Sequence, residues 1–131
     1  LDVREVRHDR EGVYHTLVRV TVGTSQGDRS VAGTLFGNTV PRLVEMFGIN
    51  IEADLDGHML YIVNEDAPGF IGSIGTLLGK NGLNIGTFHL GRRNAGGEAV
   101  LLLSMDDAIP EAVLEDARKL PGVKTVKALK F

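Results

Sequence analysis

The positions of two helical segments limit the folds open to this chain. Apolar residues at helical spacing (Ile71, Ile74, Leu77 and Leu78) predict a helix over Pro68–Asn81, capped by Gly82. The same spacing (Val113, Leu114, Ala117 and Leu120) predicts a second helix that begins at Pro110 and ends before Pro121-Gly122. Strand-like sequence flanks both helices, so residues 56–131 follow the order β-α-β-β-α-β. That order predicts a ferredoxin-like domain, with two helices on one face of a four-stranded antiparallel sheet.

Four segments of this second part are predicted to be strands: His58–Val63, Asn84–Arg92, Glu98–Met105 and Val123–Phe131. The glycine-rich stretch at residues 94–97 predicts a hairpin turn between the middle two.

Residues 1–55 contain strand patterns and no helical one. Predicted strands are Leu1–His8, which is weak, then Tyr14–Val22, Ser30–Phe36, Pro41–Met46 and Ile49–Leu55. Their apolar residues alternate with polar ones, as at Val18, Val20 and Val22, which indicates an antiparallel β layer. A boundary is expected at Asp56-Gly57. The predicted fold class is therefore α+β, with a β-rich domain at 1–55 and a ferredoxin-like domain at 56–131.

Composition excludes several classes of function. The formal net charge is −3 and both halves are nearly balanced, so no nucleic acid or membrane surface is expected as a partner. Cysteine is absent, which removes thiol chemistry and fits a reducing compartment. No apolar run approaches the roughly 20 residues of a membrane span. The chain opens with Leu1, and we expect it to be part of a longer protein.

No pattern for catalysis or metal binding is found. The four histidines (His8, His15, His58 and His89) have no second ligand at a suitable spacing on one helix, so no metal site is predicted. Nucleophile-elbow and phosphate-loop patterns are missing. The glycines at 69, 72, 75 and 79 do not form a dinucleotide fingerprint. Three of them recur on one helix, where they would let a sheet or a partner approach closely. No catalytic residue is predicted.

Polar residues at the ends of regular elements are the stronger functional signal. Asn64 and Asp66 follow a buried strand, and Asn84 opens the next one. An amino-acid ligand needs acceptors for its ammonium and donors for its carboxylate. Asp66 and the asparagine amides could supply the acceptors, and the N–H groups after Pro68-Gly69 could supply the donors. The alternative is that Asp66 caps the helix and Asn84 starts a strand.

The stretches Asn64–Gly69 and Gly82–Ile85 resemble an ACT domain, an amino-acid-sensing module attached to many metabolic enzymes. Upstream, Val31–Gly37 and Ile49–Leu55 resemble the end of the allosteric substrate-binding domain in the bacterial D-3-phosphoglycerate dehydrogenase family. The resemblance covers nearly the whole chain. It implies the regulatory region of such an enzyme, without its NAD-binding and substrate domains and without the first part of the β-rich domain.

That resemblance implies a ligand and its residues. The family makes L-serine and is commonly inhibited by it at ACT–ACT dimer interfaces. Carried over by position, the serine-binding residues are Asn64 and Asp66 with the turn at Pro68-Gly69, and Asn84 from the other subunit. L-serine or a related small amino acid, a homodimer or tetramer, and a cytoplasmic location are implied. No cofactor is expected in this chain, and NAD is expected in the full-length enzyme.

The first domain of the family is expected to hold an anion or the substrate's phosphate. Arg42 and Arg29, with Arg19 as a further candidate, would suit this role because guanidinium forms bidentate phosphate contacts. The alternative for Arg19 and Arg29 is a solvated strand surface.

Two other functions stay open at this point. The chain could regulate another amino-acid enzyme, such as an L-serine dehydratase. It could also be a purely oligomerising module that binds no metabolite.

Overall fold

The computed structural model describes residues 16–37 and 39–131. The predicted strand Leu1–His8 and the beginning of the predicted strand Tyr14–Val22 lie outside these ranges, as do His8 and His15.

The first sheet contains four antiparallel strands in the order β1-β2-β3-β4. Their bounds are β1 (Leu17–Thr24), β2 (Gly27–Phe36), β3 (Val40–Met46) and β4 (Ile49–Asp54). Thr24 pairs with Gly27, so Ser25 and Gln26 form a tight turn between β1 and β2, and Gly27 directly after the turn has a positive φ of 100°, which glycine adopts readily. The predicted antiparallel layer is confirmed.

The second sheet has the strand order β6-β7-β5-β8, with every pair antiparallel. The elements are β5 (His58–Glu65), α1 (Phe70–Lys80), β6 (Ile85–Arg92), β7 (Glu98–Met105), α2 (Glu111–Arg118) and β8 (Val123–Lys130). Gly82 has φ 70° and ends α1 as predicted, because its N–H bonds back to the Gly79 carbonyl. The predicted ferredoxin-like order is confirmed.

The central strands β5 and β7 are buried on both faces. Leu60 and Ile62 of β5 pack against the two helices, whereas Met59, Tyr61 and Val63 pack against the first sheet. Successive side chains of a strand point to opposite faces. The molecule is therefore layered, with helices, second sheet and first sheet in that order.

A close approach of two strands joins the sheets. A Cβ at Gly91 of β6 would lie 2.7 Å from the Asn50 carbonyl oxygen and 2.8 Å from Ile49 Cγ2, both in β4. Two residues after Gly91, the guanidinium of Arg93 donates to the carbonyl oxygen of Phe47 at 2.6 Å. Phe47 lies in the turn between β3 and β4. Glycine at position 91 thus permits a contact that any side chain would obstruct.

Some sequence expectations about burial were wrong. Ile71 was expected on the inner face of α1 but is 51% exposed, and Phe70 is buried instead. The glycines of α1 are not needed for packing on the sheet, because a Cβ at Gly72, Gly75 or Gly79 would meet no atom within 4 Å.

Candidate functional site

A cavity of about 490 Å³ lies where β5 ends and α1 begins. Asn64, Asp66, Pro68 and Gly69 all line it, so the structure brings together four of the five residues predicted for amino-acid binding. Much of the remaining lining is apolar and comes from α1, β6 and β7. The cavity therefore combines a few polar groups with an apolar wall, as small-molecule sites usually do.

Asn64 is almost completely buried, with 2% of its surface exposed. Its side-chain Nδ2 donates to the carbonyl oxygen of Glu65 at 2.7 Å, which fixes the orientation of the amide. Its Oδ1 is buried and accepts no hydrogen bond from the residues that the structure describes. A buried acceptor without a donor costs roughly 1–3 kcal/mol, so a ligand that donates to it would recover that free energy.

Asp66 does not cap α1. Its Oδ2 accepts from Arg92 at 3.0 Å and from the backbone N–H of Gly96 at 3.4 Å. The alternative interpretation of Asp66 as a helix cap was therefore wrong. The carboxylate instead connects the end of β5 to the β6–β7 hairpin.

Arg92 is the cavity residue that the sequence analysis missed. Asn64, Ala99 and Arg92 are in register across the neighbouring strands β5, β7 and β6. Ala99 has a small side chain, so space remains above it between the amide and the guanidinium. A signal was present in the sequence, because the predicted hairpin turn at residues 94–97 fixes which residues of β6 and β7 lie opposite each other.

The start of α1 offers backbone donors to the cavity. No side chain caps the helix, and Gly69 at its N-cap position has a positive φ of 88°. N–H groups in the first turn of a helix lack partners within the helix and attract anions. A ligand carboxylate could bind there.

Asn84 lies away from this cavity. Its Nδ2 donates to Asp106 Oδ2 at 2.7 Å, just before β6 begins, and it does not line the cavity. A role for Asn84 at the same ligand would require it to come from a second copy of the chain.

The arginines considered for anion binding lie far apart. Arg42 lies opposite Thr34, five residues along β2 from Arg29, which corresponds to roughly 17 Å. Arg42 is 3.6 Å from Asp54 and 3.8 Å from Glu52. Arg42 and Arg29 therefore cannot contact one small anion together within a single chain.

Arg19 pairs with an acid. Its guanidinium donates to the carboxylate of Glu45, and this hydrogen bond raises the pKa of Arg19 above its ordinary value.

Other kinds of site are missing from the described ranges. Residues 16–37 and 39–131 contain no group of three histidine, cysteine or acidic side chains placed to hold a metal ion. No helix in these ranges is long and apolar enough to cross a membrane.

Two family models match the chain. Residues 1–47 match the D-3-phosphoglycerate dehydrogenase intervening domain, and residues 58–122 match the ACT domain. Together they flank the boundary that separates the two sheets.

Several of the similar whole proteins are D-3-phosphoglycerate dehydrogenases. D-3-phosphoglycerate dehydrogenase of Bacillus subtilis is 33% identical over 91% of the chain, and that of Archaeoglobus fulgidus is 37% identical over 84%. The chain covers 23% and 21% of their lengths, so it spans about a fifth of these relatives. A probable L-serine dehydratase β chain of Bacillus subtilis is 21% identical over 94% of the chain and 56% of its own length. The chain therefore contains intervening-domain sequence of the D-3-phosphoglycerate dehydrogenase type followed by an ACT domain, and it is similar over most of its length to the corresponding part of D-3-phosphoglycerate dehydrogenases.

Proposed function

We propose that the chain is an allosteric regulatory region that binds L-serine, or a related small amino acid, as feedback effector of a D-3-phosphoglycerate dehydrogenase. The observation that carries the proposal is the buried Oδ1 of Asn64, which lines the cavity and has no donor among the described residues. An ammonium group supplies such a donor.

The two charged groups of an amino acid fit opposite sides of the cavity. Its ammonium would donate to Asn64 Oδ1 and to Asp66. Its carboxylate would accept from the first turn of α1 and from Arg92, which is the cation of an existing ion pair with Asp66. A zwitterion would thus replace part of that ion pair by two matched contacts.

A second copy of the chain would complete the site. β6 is an edge strand of the second sheet, with Phe88 37% and Leu90 41% exposed. If two β6 strands pair with each other antiparallel over their full length, the beginning of one lies beside the end of the other. Asn84 of one copy then lies next to Arg92 of its partner, which lines the cavity. A homodimer formed through ACT domains, or a tetramer built from it, follows from this arrangement.

In the full-length protein, the catalytic reaction would take place in domains outside the present chain. In this proposal it is a cytoplasmic, NAD-dependent oxidoreductase of L-serine biosynthesis, and the present chain supplies neither a catalytic residue nor a cofactor site. L-serine would shift the enzyme between arrangements by binding one of them more tightly.

Thermal unfolding with a panel of free amino acids tests the proposal. A ligand that binds only the folded protein raises its stability by about 2.7 kcal/mol at 100 times the Kd. We expect L-serine to raise the Tm and Asn64→Ala to remove that rise. Asn50→Ala, which removes an exposed amide from β4, is the matched control and should respond as the unmutated chain does. A folded dimer whose Tm no amino acid changes would contradict the sensing role.

The variant Asn84→Ala distinguishes amino-acid sensing from a purely oligomerising role. We expect this variant to lose the response to L-serine while sedimenting as the same oligomer as the unmutated chain. A ligand-insensitive protein that dissociates on this substitution would favour the purely oligomerising role.

The similarity to a serine dehydratase β chain supports a second candidate, regulation of that enzyme. The sequence of the full gene decides between the two. An iron–sulfur catalytic segment would favour the dehydratase, and a dinucleotide-binding domain would favour the dehydrogenase.

A further inference from the structure

The cavity proposed to bind an amino acid has two rows of side chains on its sheet side. The first row runs from Asn64 through Ala99 to Arg92, in register across β5, β7 and β6. Leu101 and Leu90 form the second row, which we call the apolar row. They pair with each other and lie on the same face, two residues along the strands from Ala99 and Arg92. The two rows are therefore about 7 Å apart.

The first turn of α1 supplies the opposite wall of the apolar row. Phe70 and Ile71 line the cavity together with Leu90 and Leu101. Phe70 and Leu101 are buried in the core that the helices share with the second sheet, so they form a fixed floor within one chain. Ile71 and Leu90 are exposed at the mouth of the cavity. These four side chains form an apolar subsite beside the polar groups.

The polar groups of the lining are all assigned to the head group of the ligand. Asn64 and Asp66 would accept from the ammonium, and Arg92 and the start of α1 would donate to the carboxylate. No serine, threonine, tyrosine, histidine or glutamine is among the described residues that line the cavity. Asn84 of a second copy would lie next to Arg92 and so beside the first row. A ligand hydroxyl at the apolar row would therefore lose its hydrogen bonds to water without replacement, which costs free energy.

We infer that the cavity selects an L-amino acid with a branched aliphatic side chain, of the class of valine and leucine, over L-serine. This inference rests on the proposed function, because the head-group contacts with Asn64 and Arg92 decide where the side chain lies. A branched aliphatic side chain fills the space between α1 and the apolar row. The cavity volume of about 490 Å³ lies in the range that encloses ligands larger than an amino acid, so the larger side chain fits.

The test is a calorimetric titration of L-serine, L-valine and L-leucine into the 131-residue chain. We expect L-valine or L-leucine to bind with a Kd at least about tenfold lower than that of L-serine. Each buried methylene changes the affinity roughly fourfold, and the larger side chains bury at least two more carbon atoms. Sedimentation under the same conditions checks that the protein is the same oligomer with every ligand.

Variants at the mouth of the cavity assign the selectivity to the apolar subsite. The measured quantity is the Kd of L-serine divided by the Kd of L-valine. Leu90→Thr shortens the apolar row and adds a hydroxyl, and Ile71→Ala shortens the opposite wall while keeping a good helix former. Each variant should lower the ratio at least about fourfold, the contribution of one buried methylene.

Phe88→Thr is the matched control for Leu90→Thr. Phe88 lies two residues before Leu90 on the same face of the edge strand β6 and is similarly exposed, but it does not line the cavity. A change in self-association would alter both dissociation constants together, so this variant should keep the ratio within about twofold of the unmutated chain.

The outcomes separate this inference from the proposed function. If no amino acid binds to the folded oligomer, the proposed function fails and the inference fails with it. If L-serine binds with a Kd equal to or lower than that of L-valine and L-leucine, amino-acid sensing stands and only the inference is overturned. An equal fall of the ratio in Leu90→Thr and Phe88→Thr would also overturn it, because the selectivity would then arise from the β6 edge and not from the cavity.

Discussion

The strands β1 and β5 are equally long and similarly apolar, yet their surroundings differ completely. Every residue of β1 is exposed, including Val18 at 61% and Val20 at 54%, whereas Leu60 and Ile62 of β5 are fully buried. β5 lies between the helices and the first sheet, and β1 extends beyond the layer that would cover it. An apolar pattern thus indicates which face of a strand can be buried, but the neighbouring layers decide whether it is.

The largest expected effect follows from truncating the same residue type in these two strands. Leu60→Ala should lower the free energy of unfolding by about 2–5 kcal/mol, because it leaves a cavity in a closed core. Leu17→Ala, at a position that is 37% exposed, should cost under about 1 kcal/mol. Urea unfolding of both variants measures the difference, and similar losses would mean that β1 is covered in solution.

The joint between the sheets can be broken at Gly91. Gly91→Val places a side chain against the β4 backbone and should cost about 1–3 kcal/mol, as overpacked cores do. We also expect weaker protection of β4 amides from hydrogen exchange. Unchanged protection would show that β6 and β4 do not need this close contact.

The stability of the protein at high pH tests the burial of Tyr61, which lies on the face of β5 that packs on the first sheet. Burial raises the pKa of Tyr61 to about 12, above the ordinary value of about 10, so the folded protein holds this proton more tightly. The resulting stability is complete below pH about 10 and is lost as the pH rises towards about 12. Denaturant unfolding across this window should show a steeper decline for the unmutated chain than for Tyr61→Phe. Parallel declines would contradict a buried hydroxyl.

The smallest effect is expected on the exposed face of α1. Gly72→Ala should stabilise the isolated fold by roughly 0.5–1 kcal/mol, because alanine favours helices and its Cβ would meet no atom within 4 Å. If a second copy packs closely on this helix, the same substitution should weaken dimerisation in sedimentation experiments. A stabilised variant with unchanged self-association would mean that the glycines do not serve an interface.

Much of the candidate site followed from local sequence. Pro68 and Gly69 mark the turn after β5, and Asn64 and Asp66 are the polar residues beside it, so their shared location was predictable. The partner of Asp66 was not, because Arg92 is 26 residues away and its position depends on which strands become neighbours. The exposure of Ile71 was also missed, since helical spacing alone does not show where the apolar face of α1 ends.

The sequence by itself determined the order of strands and helices, the β-α-β-β-α-β arrangement and the turns, because periodicity and glycine positions are local properties of the chain. Only the tertiary structure decided that Asn64 keeps a buried acceptor free, that Arg92 closes the cavity and that β1 stays exposed. It also decided that Leu90 and Leu101 lie side by side next to the polar groups of the cavity. These features depend on the register of distant strands and on which layers cover them, and neither is encoded in a single segment.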